Sequence, residues 1–485
     1  MSLKEQLGYL FNPHSVAVIG ASNQLGKWGY VILARLQASR SGRPLYAINK
    51  RETEVLGLRA YKSVADVPGP VDLAVITVPF QAIVEVMHDC VRKGVKVAII
   101  ITSGLAEIGG EGARLEEEVV KIARRGGIRF VGPNCLGHLD THTNVRTVGF
   151  LPGVKKGNVA LLSQSGNSSQ SVTHYGGQMG IGFSKFVSTG NEADLHFEDY
   201  LEYLADDDNT KVILGYVEGF REGRRFFELA KEITKKKPIV IMKSGRTDAG
   251  VRAAQSHTAS LAGSDTVLDA AFKQCGVIRV EELSELVDVA VPLIGQPLPR
   301  GRRVGVLAMG GGMAVTAADI VRREGLEMPP FSPVTMERLS ELMSVRWSRG
   351  NPIDPGGDLV SYHALWPMLE DENIDAIIIV GGVGMIASFP SWVKLPPAAR
   401  DGLAERRKAI EDIEVQDLEK TIELMKKHQK PILFVTQVTG AATRGLAYRK
   451  LRKNHLNFYS IPERAARTLR HLVEYSEYLG IARGS

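Results

Sequence analysis

Among 485 residues the chain carries only three cysteines, Cys90, Cys135 and Cys275. Three separated thiols build no disulfide framework, and without a CxxC spacing they make no zinc site, so no metal centre is expected. Such sparing use of cysteine suits a reducing cytoplasm. The opening stretch MSLKEQLGYLFNP has no apolar core of the kind a secretory leader needs. The longest uncharged run, Ala376 to Val393, is interrupted by glycines and a proline, which predicts a buried strand and a glycine-rich loop, not a membrane span. Charge of one sign is also scarce. The formal net charge is +6, with basic and acidic residues interspersed, which argues against nucleic acid and leans toward small anionic ligands. No Walker A sequence is present, and GxGxxG is missing where a dinucleotide fingerprint would begin.

What is present is a composition neither disordered nor fibrous, 44% hydrophobic and 24% charged, over a length that suggests two to four domains. One pattern occurs three times: a continuous apolar run, a turn of small residues, then a helical stretch. The openings are VAVIGAS (Val16 to Ser22), VALLSQSG (Val159 to Gly166) and VGVLAMGGG (Val304 to Gly312). Such runs are what parallel strands buried on both faces look like. Further strands are predicted at PLYAIN, LAVITV, VAIIIT and IRFVG, then at KVILGYVE and PIVIMKSG, then at DAIIIVGG and PILFVTQ. The stretch Arg400 to Lys427 is charged and is expected to be a helical, solvent-facing insertion. With linkers near LPGVKKG and GQPLPRGRR, the fold class is α/β in three doubly wound units spanning 1–150, 151–298 and 299–485.

In the first unit, Gly20, Ala21 and Ser22 form a small-residue turn suited to a phosphate at a helix N-terminus, or simply a tight strand-to-helix turn. An NAD site wants an acidic residue at the end of the second strand; this chain has Asn49, Lys50 and Arg51. Those cations suit a ribose phosphate, as in CoA or NADP, or form a solvated basic turn. Val78 and Pro79, Thr102 and Ser103, and Asn134 stand at the remaining strand ends, where ligands of open parallel sheets bind.

In the second unit His257 lies in SHTASLAG, on a loop of small residues after a predicted strand. A lone histidine is ordinarily structural or merely exposed. Ser165 and Gly166 begin a helix, Glu218 ends KVILGYVE, and Asn191 sits in the polar turn STGNEAD; all four segments would converge on one sheet edge. Neutral imidazole attacks through its unprotonated nitrogen, a carboxylate on the other nitrogen fixes the tautomer, and helix N-termini supply donors for a phosphoryl group.

These residues resemble the α subunit of ADP-forming acetyl-CoA synthetase, related to the succinyl-CoA synthetase α subunit. The matching motifs run from about Asn12 to about Tyr478: VAVIGAS, VGPNCLG, LLSQSG, GNEAD, the glutamate of YVEGF, SHTASLAG, NPIDPGGD and IPERAARTL. The resemblance implies a Rossmann-like CoA-binding domain followed by two flavodoxin-like domains. It implies CoA contacts at Gly20, Ala21, Ser22, Lys50, Val78, Pro79, Thr102, Ser103 and Asn134. It makes His257 the phosphohistidine, Glu218 the carboxylate that orients it, and Ser165, Gly166 and Asn191 the phosphate-binding set. It further implies a small carboxylic acid or its CoA thioester as substrate and a separate ATP-grasp β subunit in an α2β2 assembly. That partner would bring Mg2+ and ADP or ATP. Met313 after the third glycine turn, Ala259 in SHTA, and Asn167 and Ser168 depart from the usual family pattern, near where substrate or phosphate would lie. Two other readings stand beside this one: an NADP-dependent oxidoreductase on the first unit, which leaves SHTASLAG without a role, and a non-catalytic CoA-binding scaffold.

Overall fold

The computed structural model describes every residue except 150, 152, 248–264, 357–361, 382–402, 437–445, 457 and 483–485. The chain divides into two compact units, Met1–Leu286 and Val287–Ser485.

The first unit holds two sheets. The described strands of the first are β1 (Val16–Ile19), β2 (Leu45–Ile48), β3 (Glu54–Val55), β4 (Leu58–Tyr61), β5 (Leu73–Ile76), β6 (Val97–Ile100) and β7 (Arg129–Val131), in the order β3-β4-β2-β1-β5-β6-β7. Only the short β3–β4 pair is antiparallel. Every residue of β1, β5 and β6 is buried, because helices cover both faces. The helices show why the sequence folds this way. After α1 (Leu3–Phe11) and α2 (Trp28–Ala38), α3 (Ile83–Lys93) puts Ile83, Val86, Met87 and Cys90 on one buried stripe. Glu85 in its first turn and Arg92 and Lys93 in its last complement the helix dipole, and Gly94 at φ 75° ends it in the left-handed region. The chain runs from β1 to β2 on one side and returns to β5 on the other. The carboxyl ends of β1 and β5 therefore border a crevice.

The second sheet comprises β8 (Gly137–Asp140), β9 (Val145–Arg146), β10 (Lys156–Ser163), β11 (Phe183–Ser188), β12 (Val212–Val217), β13 (Ile239–Lys243) and β14 (Ile278–Val280). Its order is β14-β13-β12-β10-β11-β8-β9, parallel except for β8 and β9. A linker was expected near residue 150, yet residues 137–146 already pair with this sheet, His138 standing opposite Val187 on antiparallel β11. Nothing local in GHLD announces a partner strand that comes so much later in the chain. After α4 (Gly110–Arg125), the helices that pack here include α5 (Gly166–Gln178), α6 (Phe197–Ala205), α7 (Gly223–Ile233) and the helix Asp265–Cys275. Direction again reverses about β10, which has β11 on one side and β12 on the other, so the end of β10 is the switch point of this sheet.

The described strands of the second compact unit are β15 (Val304–Ala308), β16 (Ala376–Val380), β17 (Ile432–Val435) and β18 (Phe458–Tyr459), parallel in that order. Here one expectation is corrected. The charged stretch read as a solvent-facing insertion is the helix Leu403–His428, the crossover that a parallel β16–β17 pair requires. Leu418, Ile422 and Met425 fall at helical spacing and, with Leu424, are buried in one cluster with Leu365, Met368 and Leu369. The abundant charges mask a narrow apolar stripe.

Candidate active site

At the first crevice Gly20 has φ 92°, and a Cβ there would stand 2.7 Å from Thr77 Oγ1, so the turn needs glycine on two counts. The N–H groups of Gly20 and Ala21 both donate to the Ile48 carbonyl, at 3.0 and 3.1 Å. The turn is longer than a strand-to-helix junction: residues 20–27 intervene before α2, and Ser22 Oγ accepts from the Gln24 N–H at 3.0 Å. The next strand ends are stitched together. Thr102 Oγ1 donates to the Val78 carbonyl at 2.7 Å, and the Asn134 N–H donates to the Thr102 carbonyl at 3.0 Å. Gly20, Ala21, Ser22, Val78, Pro79, Thr102, Ser103 and Asn134 thus lie along one sheet edge. Lys50 stands at its rim in an exposed ion pair with Glu85, Nζ to Oε2 2.8 Å. An exposed pair of this kind is worth less than about 1 kcal/mol, so an incoming anion can displace Glu85. Small residues, glycine held at positive φ and an available cation fit a phosphate-bearing nucleotide such as CoA.

At the second edge Ser165 caps α5. Its Oγ accepts from the Ser168 N–H at 3.3 Å, leaving the first N–H groups of the helix outside the intrahelical ladder. Gly166 has a packing reason to be glycine, since a Cβ would come within 2.7 Å of Leu136 Cγ. Glu218, half-buried, follows the last residue of β12. Between them lies Gln164, which the sequence reading missed. Its Oε1 accepts from the Glu218 N–H at 2.5 Å and the Gly219 N–H at 3.1 Å, and its Nε2 donates to the Gly219 carbonyl at 2.8 Å. The helix cap and the Glu218 peptide are therefore one hydrogen-bonded assembly. Lys243 at the end of β13 was missed as well. Burial lowers its pKa, while the charges of Asp265 and Glu218 oppose that shift. β13 ends at Lys243 on this same edge, and His257, later in the chain, lies outside the described residues.

The GNEAD turn couples this edge to the first sheet. The N–H groups of Asn191 and Ala193 donate to the carbonyls of Pro133 and Gly132 at 2.9 and 3.1 Å. Asp194, fully buried, accepts from Arg124 Nε and Arg129 Nε, both at 2.8 Å, and from the Phe130 N–H at 3.0 Å. Asn191 was expected to bind phosphate, but its side chain is engaged elsewhere. Nδ2 donates to Glu107 Oε2 at 2.7 Å and Glu116 Oε2 at 3.0 Å, and Oδ1 accepts from Asn134 Nδ2 at 3.3 Å. Glu107 in turn accepts from the Gly104 N–H at 2.6 Å, so the loop carrying Ser103 is tied to the turn carrying Asn191. Beneath the turn Glu192 is 2% exposed, and among the described residues neither carboxyl oxygen has a well-formed hydrogen bond, the side-chain donors that face it being Thr189 and Gln164. Burial, reinforced by the nearby Glu198 charge, pushes it up to about 7 against the side chains of Thr189 and Gln164 and the charge of Arg221. Both missed acceptors, Gln164 and Glu192, stand inside motifs already singled out; only their tertiary neighbours mark them. Among the described residues no group of histidine, cysteine and acidic side chains could hold a metal ion, and no helix is long and apolar enough to cross a membrane.

Residues 14–140 match the model of a CoA binding domain, and residues 156–293 that of a succinyl-CoA ligase like flavodoxin domain. Fold and site together thus define a CoA ligase of doubly wound α/β build. Over 480 residues the chain is 38% identical to the α subunit of the ADP-forming acetate–CoA ligase II of Pyrococcus furiosus, covering 98% of this chain and 99% of that one. The chain belongs to the family of ADP-forming acetate–CoA ligase α subunits. It is also 38% identical to the ADP-forming acetate–CoA ligase of Methanocaldococcus jannaschii, over 97% of this chain but only 63% of that longer protein. Among solved structures it superposes on the dinucleotide-forming acetyl-coenzyme A synthetase 1 of Ca. Korarchaeum cryptofilum in complex with phosphate and ADP. That match has a TM-score of 0.83 at 32% identity and covers 98% of both chains. The oxidoreductase reading of the first unit finds no counterpart in these relatives.

Proposed function

We propose that this chain is the CoA-binding, phosphohistidine-carrying α subunit of an NDP-forming acyl-CoA synthetase, with His257 as the carrier. Residues 1–150 would bind CoA, 151–298 would carry the phosphohistidine loop, and 299–485 would complete the ligase. The observation that carries the reading is the Ser165–Gln164–Glu218 assembly at the switch point of the second sheet, on the edge where β13 also ends. In the cycle, phosphate attacks the thioester carbonyl of an acyl-CoA, releasing CoA and forming an acyl phosphate. His257 takes the phosphoryl group through its unprotonated nitrogen, releasing the carboxylate, and then passes it to ADP. Glu218 accepts a hydrogen bond from the other ring N–H, fixing the tautomer and stabilising the charged phosphohistidine. The N-terminus of α5 at Ser165 and Gly166 holds the phosphoryl oxygens. Asn191 serves the phosphate through the position of its turn. CoA lies along Gly20, Ala21, Ser22, Val78, Pro79, Thr102, Ser103 and Asn134, with Lys50 on its ribose phosphate. ADP or ATP with Mg2+ belongs to an ATP-grasp β subunit, giving an α2β2 enzyme that works on a small carboxylic acid. Three buried free thiols suit the cytoplasm.

The test is to incubate the chain and its partner subunit with acetyl-CoA and radioactive phosphate. Acid-labile, base-stable label is expected on the native chain and none on His257→Asn; equal labelling of the two would sink the mechanism.

A further inference from the structure

A buried carboxyl group without a hydrogen bond is rare enough to call for a reason. Glu192 adopts φ 52°, a left-handed conformation that side chains avoid. It follows Gly190, at φ 62°, where any Cβ would overlap the Pro133 carbonyl. The backbone bonds between residues 191–195 and 130–133 hold the turn in this shape and keep Glu192 buried beneath the sheet edge. The polar side chains facing it are Thr189 and Gln164, and the ionisable ones are Glu198 and Tyr200 of α6 and Arg221 after β12. The Arg221 guanidinium is itself engaged, donating to the Asn191 carbonyl at 2.8 Å. Gln164 is the informative neighbour. Its oxygen is committed to the N–H groups of Glu218 and Gly219, and one amide hydrogen to the Gly219 carbonyl. An amide carries two such hydrogens, so one remains for Glu192, and because neither Glu192 oxygen meets it in a well-formed hydrogen bond the amide must turn to deliver it.

We propose that Glu192 is a positioning residue for phosphoryl transfer: as a neutral acid it leaves Gln164 clamped on the Glu218–Gly219 peptide, and as a carboxylate it draws that amide away and displaces Glu218. The inference rests on the orienting role of Glu218 given above. A carboxyl group brought to about 7 by burial passes between both forms near neutrality, so the clamp titrates where the enzyme works.

The experiment measures the rate of phosphoenzyme formation by the full chain with its partner subunit, from acetyl-CoA and phosphate, between about pH 5.5 and about pH 9. The native enzyme is expected to lose rate as pH rises through about 7, by about threefold or more over the next pH unit, at constant KM for CoA. Glu192→Gln, which has the shape of the neutral acid and cannot ionise, loses that limb. Gln164→Ala removes the clamp, slows the step at every pH by about tenfold and also loses the limb. Overturning results are a limb that persists in either variant, or a rise in KM for CoA matching the fall in kcat. His257→Asn runs alongside. Label on that variant overturns the phosphohistidine reading, whereas its loss there with an unchanged limb in Glu192→Gln overturns the Glu192 proposal alone.

Discussion

Gly166 begins α5 at the point proposed to hold the phosphoryl group, and two different reasons for a glycine there predict different chemistry. A glycine needed for close approach of a phosphate tolerates no methyl group in any background. A glycine needed for packing tolerates one as soon as its neighbour recedes. The structure favours packing. A Cβ would stand 2.7 Å from Leu136 Cγ and 2.9 Å from Cδ1, whereas carbon atoms prefer about 3.5–4.0 Å. Leu136 yields only in part, because its N–H donates to Ser188 Oγ at 3.0 Å. Overpacking of this order costs about 1–3 kcal/mol, set against a gain of up to about 1 kcal/mol from alanine's better helix propensity. Gly166→Ala is therefore expected to destabilise the first unit by up to about 2 kcal/mol and to slow phosphoenzyme formation. In a Leu136→Ala background the same substitution becomes neutral or stabilising by up to about 1 kcal/mol, a coupling of about 1–3 kcal/mol. The assays are thermal unfolding and phosphate labelling for the four chains of the cycle. If Gly166→Ala abolishes labelling equally in both backgrounds, the glycine serves the ligand and the packing argument fails.

Two further outcomes test other parts of the structure. Lys50→Ala is expected to weaken CoA by about tenfold, the loss of one charge-assisted contact, and dephospho-CoA hardly at all; equal weakening would remove Lys50 from the ribose phosphate. His138 is fully buried, with Nε2 donating to the Leu10 carbonyl at 2.7 Å and Nδ1 2.8 Å from Thr147 Oγ1. Burial lowers its pKa to about 4 in the fold, below its unfolded value of about 6.5. The unfolded chain binds the proton first. The stability of the first unit is thus complete above about pH 6.5 and declines by about 3 kcal/mol as pH falls to about 4. Replacement by glutamine should flatten that slope in Tm against pH, and an unchanged slope would mean that other groups carry it.

Much of this was legible in the residues alone, for a physical reason. A parallel strand covered on both faces must be apolar throughout, so VAVI, LAVI, VAII and AIIIV announce themselves without reference to anything distant. The turns that follow need small residues for local steric reasons, so the carboxyl-end positions of the first crevice and the Ser165–Gly166 cap were readable too. The crossover helix Leu403–His428 was misread because its buried apolar positions Leu418, Ile422, Leu424 and Met425 are outvoted by the charges around them. The partner of β8 was invisible because antiparallel pairing across a long loop leaves no local mark.

What the sequence by itself determined is the α/β class and the small-residue turns at the strand ends, both consequences of local pattern. Only the tertiary structure decided how the polar side chains around them are held. Gln164 binds the Glu218 peptide, Asn191 joins Glu107 and Glu116, and Glu192 is buried without a well-formed hydrogen bond among the described residues. The reason is that a hydrogen-bond partner or a lost hydration shell depends on residues scores of positions away, and no spacing along the chain records it.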